Sequence, residues 1–97
     1  MKTLKKVIIS HKYVDLMPPY DEMLQDIIYI SLPYKTAIHR CLCGCGEKTV
    51  TPLKEGYGWQ LSVNHKDGKI SLSPSIGNYN FECKSHYIIT NSVANFV

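Results

Sequence analysis

The pattern of apolar and polar positions along the chain is mostly that of β-strands. Residues 7–9 form a short apolar run. Residues 26–32 are rich in β-branched and aromatic side chains and end at Pro33, which suits a strand. A strand over 36–43, a turn at Gly44 to Gly46 and a returning strand over 47–51 read as a hairpin with cysteines at its tip. Tyr57, Trp59, Leu61 and Val63 alternate with polar residues on the next strand. Residues 65–68 form a turn leading to a short strand over 69–72, and Pro74 to Asn78 read as a second turn. Strands follow over 86–90 and up to Phe96 and Val97, separated by a turn at Asn91 and Ser92. One segment, 20–26, has a helical start: Pro18 and Pro19 precede it, and Asp21 and Glu22 fall in its first turn. The pattern predicts a mainly β fold, a small antiparallel β-domain with at most one short helix, formed by residues 1–97 as one unit.

Composition narrows the setting. The chain has 97 residues, 44% of them hydrophobic and 20% charged, which excludes a disordered or low-complexity protein. No apolar run approaches the roughly 18 residues of a membrane-spanning helix. The apolar run near the N-terminus is far shorter than the roughly 7–15 residues of a signal-peptide core, so the expected location is the cytoplasm. The net charge of +3 comes from 11 basic and 8 acidic residues. Only Lys2, Lys5 and Lys6 cluster, so charge does not point to a nucleic-acid partner.

The cysteines carry the first chemical signal. Cys41, Cys43 and Cys45 stand at alternate positions, and Cys83 and His86 follow with two residues between them. Zinc is held by four such ligands, usually supplied as two close pairs. Gly44 and Gly46 allow the chain to fold tightly around an ion. Cys43, Cys45, Cys83 and His86 form the preferred set, with Cys41 able to replace Cys43 or Cys45. Idle buried thiols and a redox pair are the competing readings. A zinc site of this kind would staple a domain too small for a large core.

Ser75 supplies the second signal. The Pro-Ser-Ile-Gly-Asn segment at 74–78 fits a structured turn, with Ser75 and Asn78 bonded to backbone. It also fits a rigid loop that presents Ser75 as a nucleophile, with Asn78 or loop amides holding an oxyanion. A nucleophilic serine needs a base. His39, two residues before Cys41, can be that base, a metal ligand or a hydrogen-bonded strand residue. His86 can serve if the metal shell is four cysteines.

The triple-cysteine motif at 41–45, Trp59, the Pro-Ser-Ile-Gly-Asn motif and the Cys-x-x-His motif ending at His86 occur in an order that resembles the bacterial "domain of unknown function 6527" family. The resemblance covers residues 26–97, with Tyr79 standing where a tryptophan is expected. It implies a small zinc-binding protein, encoded in some cases beside ubiquitin-like proteins, their activating and conjugating enzymes and deconjugating peptidases. It therefore implies a component of a ubiquitin-like conjugation pathway with a role in antiphage defence. Two readings follow. In one, the chain is a transferase in which Ser75 carries a ubiquitin-like protein as an oxyester before transfer to lysine, with His39 as base. In the other it is a non-catalytic, zinc-stapled adaptor, docking through residues 44–48 and 79–81.

Overall fold

A computed structural model describes residues 6–54, 58–77 and 85–96. Nine strands form among them: β1 (Lys6–Ile8), β2 (Ser10–Tyr13), β3 (Ile27–Ser31), β4 (Thr36–Arg40), β5 (Lys48–Pro52), β6 (Gln60–Val63), β7 (Ile70–Gly77), β8 (His86–Thr90) and β9 (Val93–Phe96). The fold is mainly β, as expected. One sheet has the order β1-β9-β8-β7-β6 and the other β2-β3-β4-β5. Their inner faces share one core. Ile28, Ile30 and Ala37 from the second sheet meet Ile70, Leu72, Ile76, Tyr87, Ile89 and Ala94 from the first. Among the described residues no helix is long and apolar enough to cross a membrane.

Three departures from the sequence pattern have local causes. The apolar run at 7–9 does not stay in one strand. Ile9 is buried and donates its N–H to the Ser92 carbonyl at 2.9 Å, so β1 joins one sheet and β2 the other. Because β2 then pairs with β3 in parallel, the second sheet is not purely antiparallel. A parallel pair needs a crossover, and residues 14–26 supply it. Within that crossover the expected helix is a single 3-10 turn, Tyr20–Glu22. It stops because Met23 is extended and buried. Arg40 anchors the crossover to the sheet: its guanidinium donates to the carbonyls of Met23 (2.6 Å) and Tyr20 (3.1 Å) and lies 4.5 Å from the Tyr20 ring centroid.

The third departure concerns the expected turn at 74–78. Over residues 74–77 the chain does not turn. β7 continues through them to Gly77, with Leu72 opposite Ile89 and Ile76 opposite Tyr87. Residues 73–75 therefore face Ile88 alone, which makes a bulge. Proline cannot donate to a ladder, and a bulge is where a strand tolerates it. Pro74 occupies that position, after a cis Ser73–Pro74 peptide bond.

Candidate active site and metal centre

The bulge re-aims Ser75. Ile76 and Tyr87 are cross-strand partners whose side chains enter the core, so their neighbours Ser75 and His86 face the outer side of the sheet. There His86 Nε2 lies 2.6 Å from Ser75 Oγ, a short serine–imidazole hydrogen bond between partly exposed groups. On the same strand, the Ser75 carbonyl accepts a hydrogen bond of 3.4 Å from the Trp59 indole. Trp59 also packs against the core.

A second imidazole–hydroxyl contact lies on the inner face. His39 Nε2 is 2.7 Å from the Tyr87 hydroxyl, and both residues are fully buried. Burial lowers the His39 pKa from 6.5 to about 4, because the charged imidazolium loses its hydration. His39 is therefore neutral at physiological pH.

The cysteine loop closes the same end of the sandwich. β4 ends at Arg40 rather than at Cys43, because the loop curls at once: Gly44 N–H bonds to the Cys41 carbonyl at 3.0 Å. Gly44 and Gly46 have φ of +94° and +87°, values that favour glycine and let the thiols converge. The sulfurs of Cys41, Cys43 and Cys45 lie within 4.8 Å of one another, close enough to hold one metal ion. Cys41 Sγ and Cys43 Sγ are 3.4 Å apart, and the Cys45 N–H points at Cys43 Sγ from 3.3 Å. Convergent sulfurs with an amide aimed at one of them suit a thiolate-bound cation. Cys41 Sγ also meets the Ser85 hydroxyl at 3.1 Å.

A serine hydroxyl within hydrogen-bond reach of an imidazole, both partly exposed, is an arrangement that can serve nucleophilic catalysis. Over residues 13–97 the chain matches the family described as bacterial ubiquitination-like system serine protease (BubE). The chain belongs to the BubE family. No curated protein and no solved structure gives a significant match. The BubE description does not carry the family name suggested by the sequence motifs, but it describes the same kind of protein, a member of a bacterial ubiquitin-like system. The match also starts at residue 13, upstream of the 26 that the motifs cover.

BubE membership and geometry together recast the residues singled out in the sequence. Ser75 is brought to His86, the residue the spacing assigned to the metal, and not to His39. The physical reason is strand alternation. His39 projects from β4 into the core, whereas Ser75 faces away from it, so the hydroxyl His39 reaches is that of Tyr87. Of the preferred ligand set, Cys43 and Cys45 join Cys41 in one cluster, and His86 Nε2 is engaged by Ser75. Cys83 and Asn78, and the docking segment 79–81, lie outside the described residues. Sequence reasoning gave Tyr87 and Ser85 no role. Their signal is parity alone: they flank His86 on β8 and its approach, and so must face the opposite way.

Proposed function

We propose that the protein is a serine protease of the bacterial ubiquitination-like system, with Ser75 as nucleophile and His86 as its base. The observation that carries this reading is the 2.6 Å contact between His86 Nε2 and Ser75 Oγ on a partly exposed sheet face. Ser75 Oγ attacks the carbonyl carbon of a peptide or isopeptide bond at the C-terminus of a ubiquitin-like protein, and its proton passes to His86 Nε2. The carbon–nitrogen bond then breaks, and His86 returns the proton to the leaving amine. Water attacks the oxyester by the reverse route, giving a carboxylate and free Ser75. Amides released from the ladder by the bulge, with Asn78 just beyond β7, are the groups assigned to the oxyanion.

The transferase reading uses the same oxyester but delivers it to a lysine amine instead of water. The family description favours water. Zinc is the metal assigned to Cys41, Cys43 and Cys45, with Cys83 as the fourth ligand. That shell leaves His86 for catalysis, and full coordination by sulfur gives the metal a structural role.

The test is intact mass spectrometry of the protein with a C-terminally extended ubiquitin-like substrate, with and without added lysine. Cleavage, a hydroxylamine-sensitive adduct on Ser75 and a free carboxylate product are expected. Ser75→Ala should lower turnover by at least about a thousandfold, with zinc still near about one per chain. Cleavage that survives Ser75→Ala would overturn the assignment. A lysine amide as the product would establish the transferase, and substrate binding without any adduct would establish the adaptor.

A further inference from the structure

Two buried polar contacts join the sheets, and they fall on consecutive inward positions of the same two chain segments. His39 and Cys41 are two residues apart on β4 and its continuation. Ser85 and Tyr87 are two residues apart at the start of β8. His39 Nε2 meets the Tyr87 hydroxyl at 2.7 Å, and Cys41 Sγ meets the Ser85 hydroxyl at 3.1 Å. His39, Cys41 and Tyr87 are fully buried, and Ser85 is 8% exposed. The residue between the two rungs on β8 is His86, which points the other way, to Ser75.

The other buried members of the core cluster are isoleucine, leucine and alanine, with Val7, Trp59 and Phe96 among the apolar side chains packed against them. Apolar contacts of that kind allow small slides at little cost, whereas a buried hydrogen bond is directional and expensive to break. Two rungs on either side of one residue fix both the height and the tilt of the strand that carries it. We infer that Ser85 and Tyr87 are positioning residues that set His86 against Ser75, and that Cys41 links this setting to metal held by the cysteine cluster. The inference rests on the serine–histidine reading above. A metal-bound Cys41 is a thiolate, and a thiolate is a stronger acceptor for the Ser85 hydroxyl than a neutral thiol. A metal held there would therefore tighten the rung nearest the cluster.

The experiment uses the full chain and reads two quantities: the rate at which a fluorophosphonate probe modifies Ser75, and the ring-nitrogen signals of His86 by NMR. Ser85→Ala and Tyr87→Phe should each slow modification by roughly ten- to a hundredfold and shift the His86 signals. For a peptide substrate they should lower kcat with KM unchanged. Ser85→Thr, which keeps the hydroxyl, should restore the rate. A chelator should slow the wild-type protein to the level of Ser85→Ala and slow that variant no further, the non-additivity expected of one shared path. Wild-type rates and unshifted His86 signals in folded Ser85→Ala and Tyr87→Phe would overturn the inference while leaving the serine–histidine pair standing. A wild-type protein that takes up no probe would overturn both. Should thermal melting show one variant unfolded, the other decides.

Discussion

β8 takes part in two imidazole–hydroxyl contacts of nearly equal length on its two faces. Inside, Tyr87 meets His39 at 2.7 Å, and outside, His86 meets Ser75 at 2.6 Å. The bond does not distinguish them; the surroundings do. His39 is sealed from solvent and held neutral by desolvation, so no substrate can reach it. His86 and Ser75 are partly exposed beside a bulge that lifts the hydroxyl out of the regular ladder. On the proposed function, the same pair of groups is a structural tie on one face and a reactive centre on the other. Access and backbone irregularity make the difference.

The sharpest way to break this comparison is to remove each imidazole in turn. His86→Gln should lower the rate of Ser75 acylation by about a hundredfold or more, the usual contribution of a general base. His39→Gln keeps a polar partner near the Tyr87 hydroxyl, and its acylation rate should stay within roughly tenfold of wild type, since it touches the nucleophile only through β8. Its main effect should be a lower melting temperature. Stopped-flow measurement with an activated ester reads the acylation step directly. A larger rate loss from His39→Gln than from His86→Gln would reverse the two assignments.

How much of this is legible in the sequence follows from the range of each signal. The strand at Ile27–Ser31 is written locally, in β-branched residues ending before Pro33, and it forms as expected. The convergence of Cys41, Cys43 and Cys45 is also local, set by spacing and two glycines. Ser75 is visible as a residue in an unusual frame, but Pro74 makes that frame look like a turn. Only pairing with β8 shows that the strand runs on through a bulge. The choice between His39 and His86 is not local at all. Alternation places His39 and Cys41 on one face, correctly, but it cannot say which hydroxyl lies opposite. That depends on the approach of β8, distant in sequence, and the Cys-x-x-His spacing draws His86 towards the metal instead.

Acid should expose the buried histidine. Between the unfolded value of 6.5 and the folded value of about 4, the unfolded chain binds a proton that His39 in the folded chain does not. Stability from this group is therefore complete above the upper value and falls as pH drops through the window. The total loss is about 3 kcal/mol, at about 1.4 kcal/mol per pKa unit. Other groups also change protonation with pH, so the informative quantity is the difference between wild type and His39→Gln in urea unfolding at each pH. The wild-type protein should lose the additional stability between the two values, and the variant should not. Parallel pH profiles for the two proteins would show that His39 takes up its proton in the folded state, and the contrast between the two faces of β8 would be lost.

The smallest expected effect concerns the support of Ser75, the proposed nucleophile. On the base's side, His86 is held between two buried rungs of 2.7 and 3.1 Å. On the nucleophile's side, the Ser75 carbonyl accepts from the Trp59 indole at 3.4 Å, a length at the weak end of hydrogen bonding. Trp59 is half-buried and packs against the apolar core. Trp59→Phe keeps an aromatic ring there and removes the donor, so it should cost about 1 kcal/mol of stability and change the acylation rate by less than about fivefold. The carbonyl of Ser75 does not itself react, and the bulge geometry also depends on the ladder pairs on either side, Leu72 with Ile89 and Ile76 with Tyr87. Unfolding and acylation measured on the same preparation separate the two contributions. A rate loss in Trp59→Phe as large as that in Ser85→Ala would mean that the bulge is held from β6 as firmly as the base is held from β4. The asymmetry between the two partners of the 2.6 Å contact would then disappear.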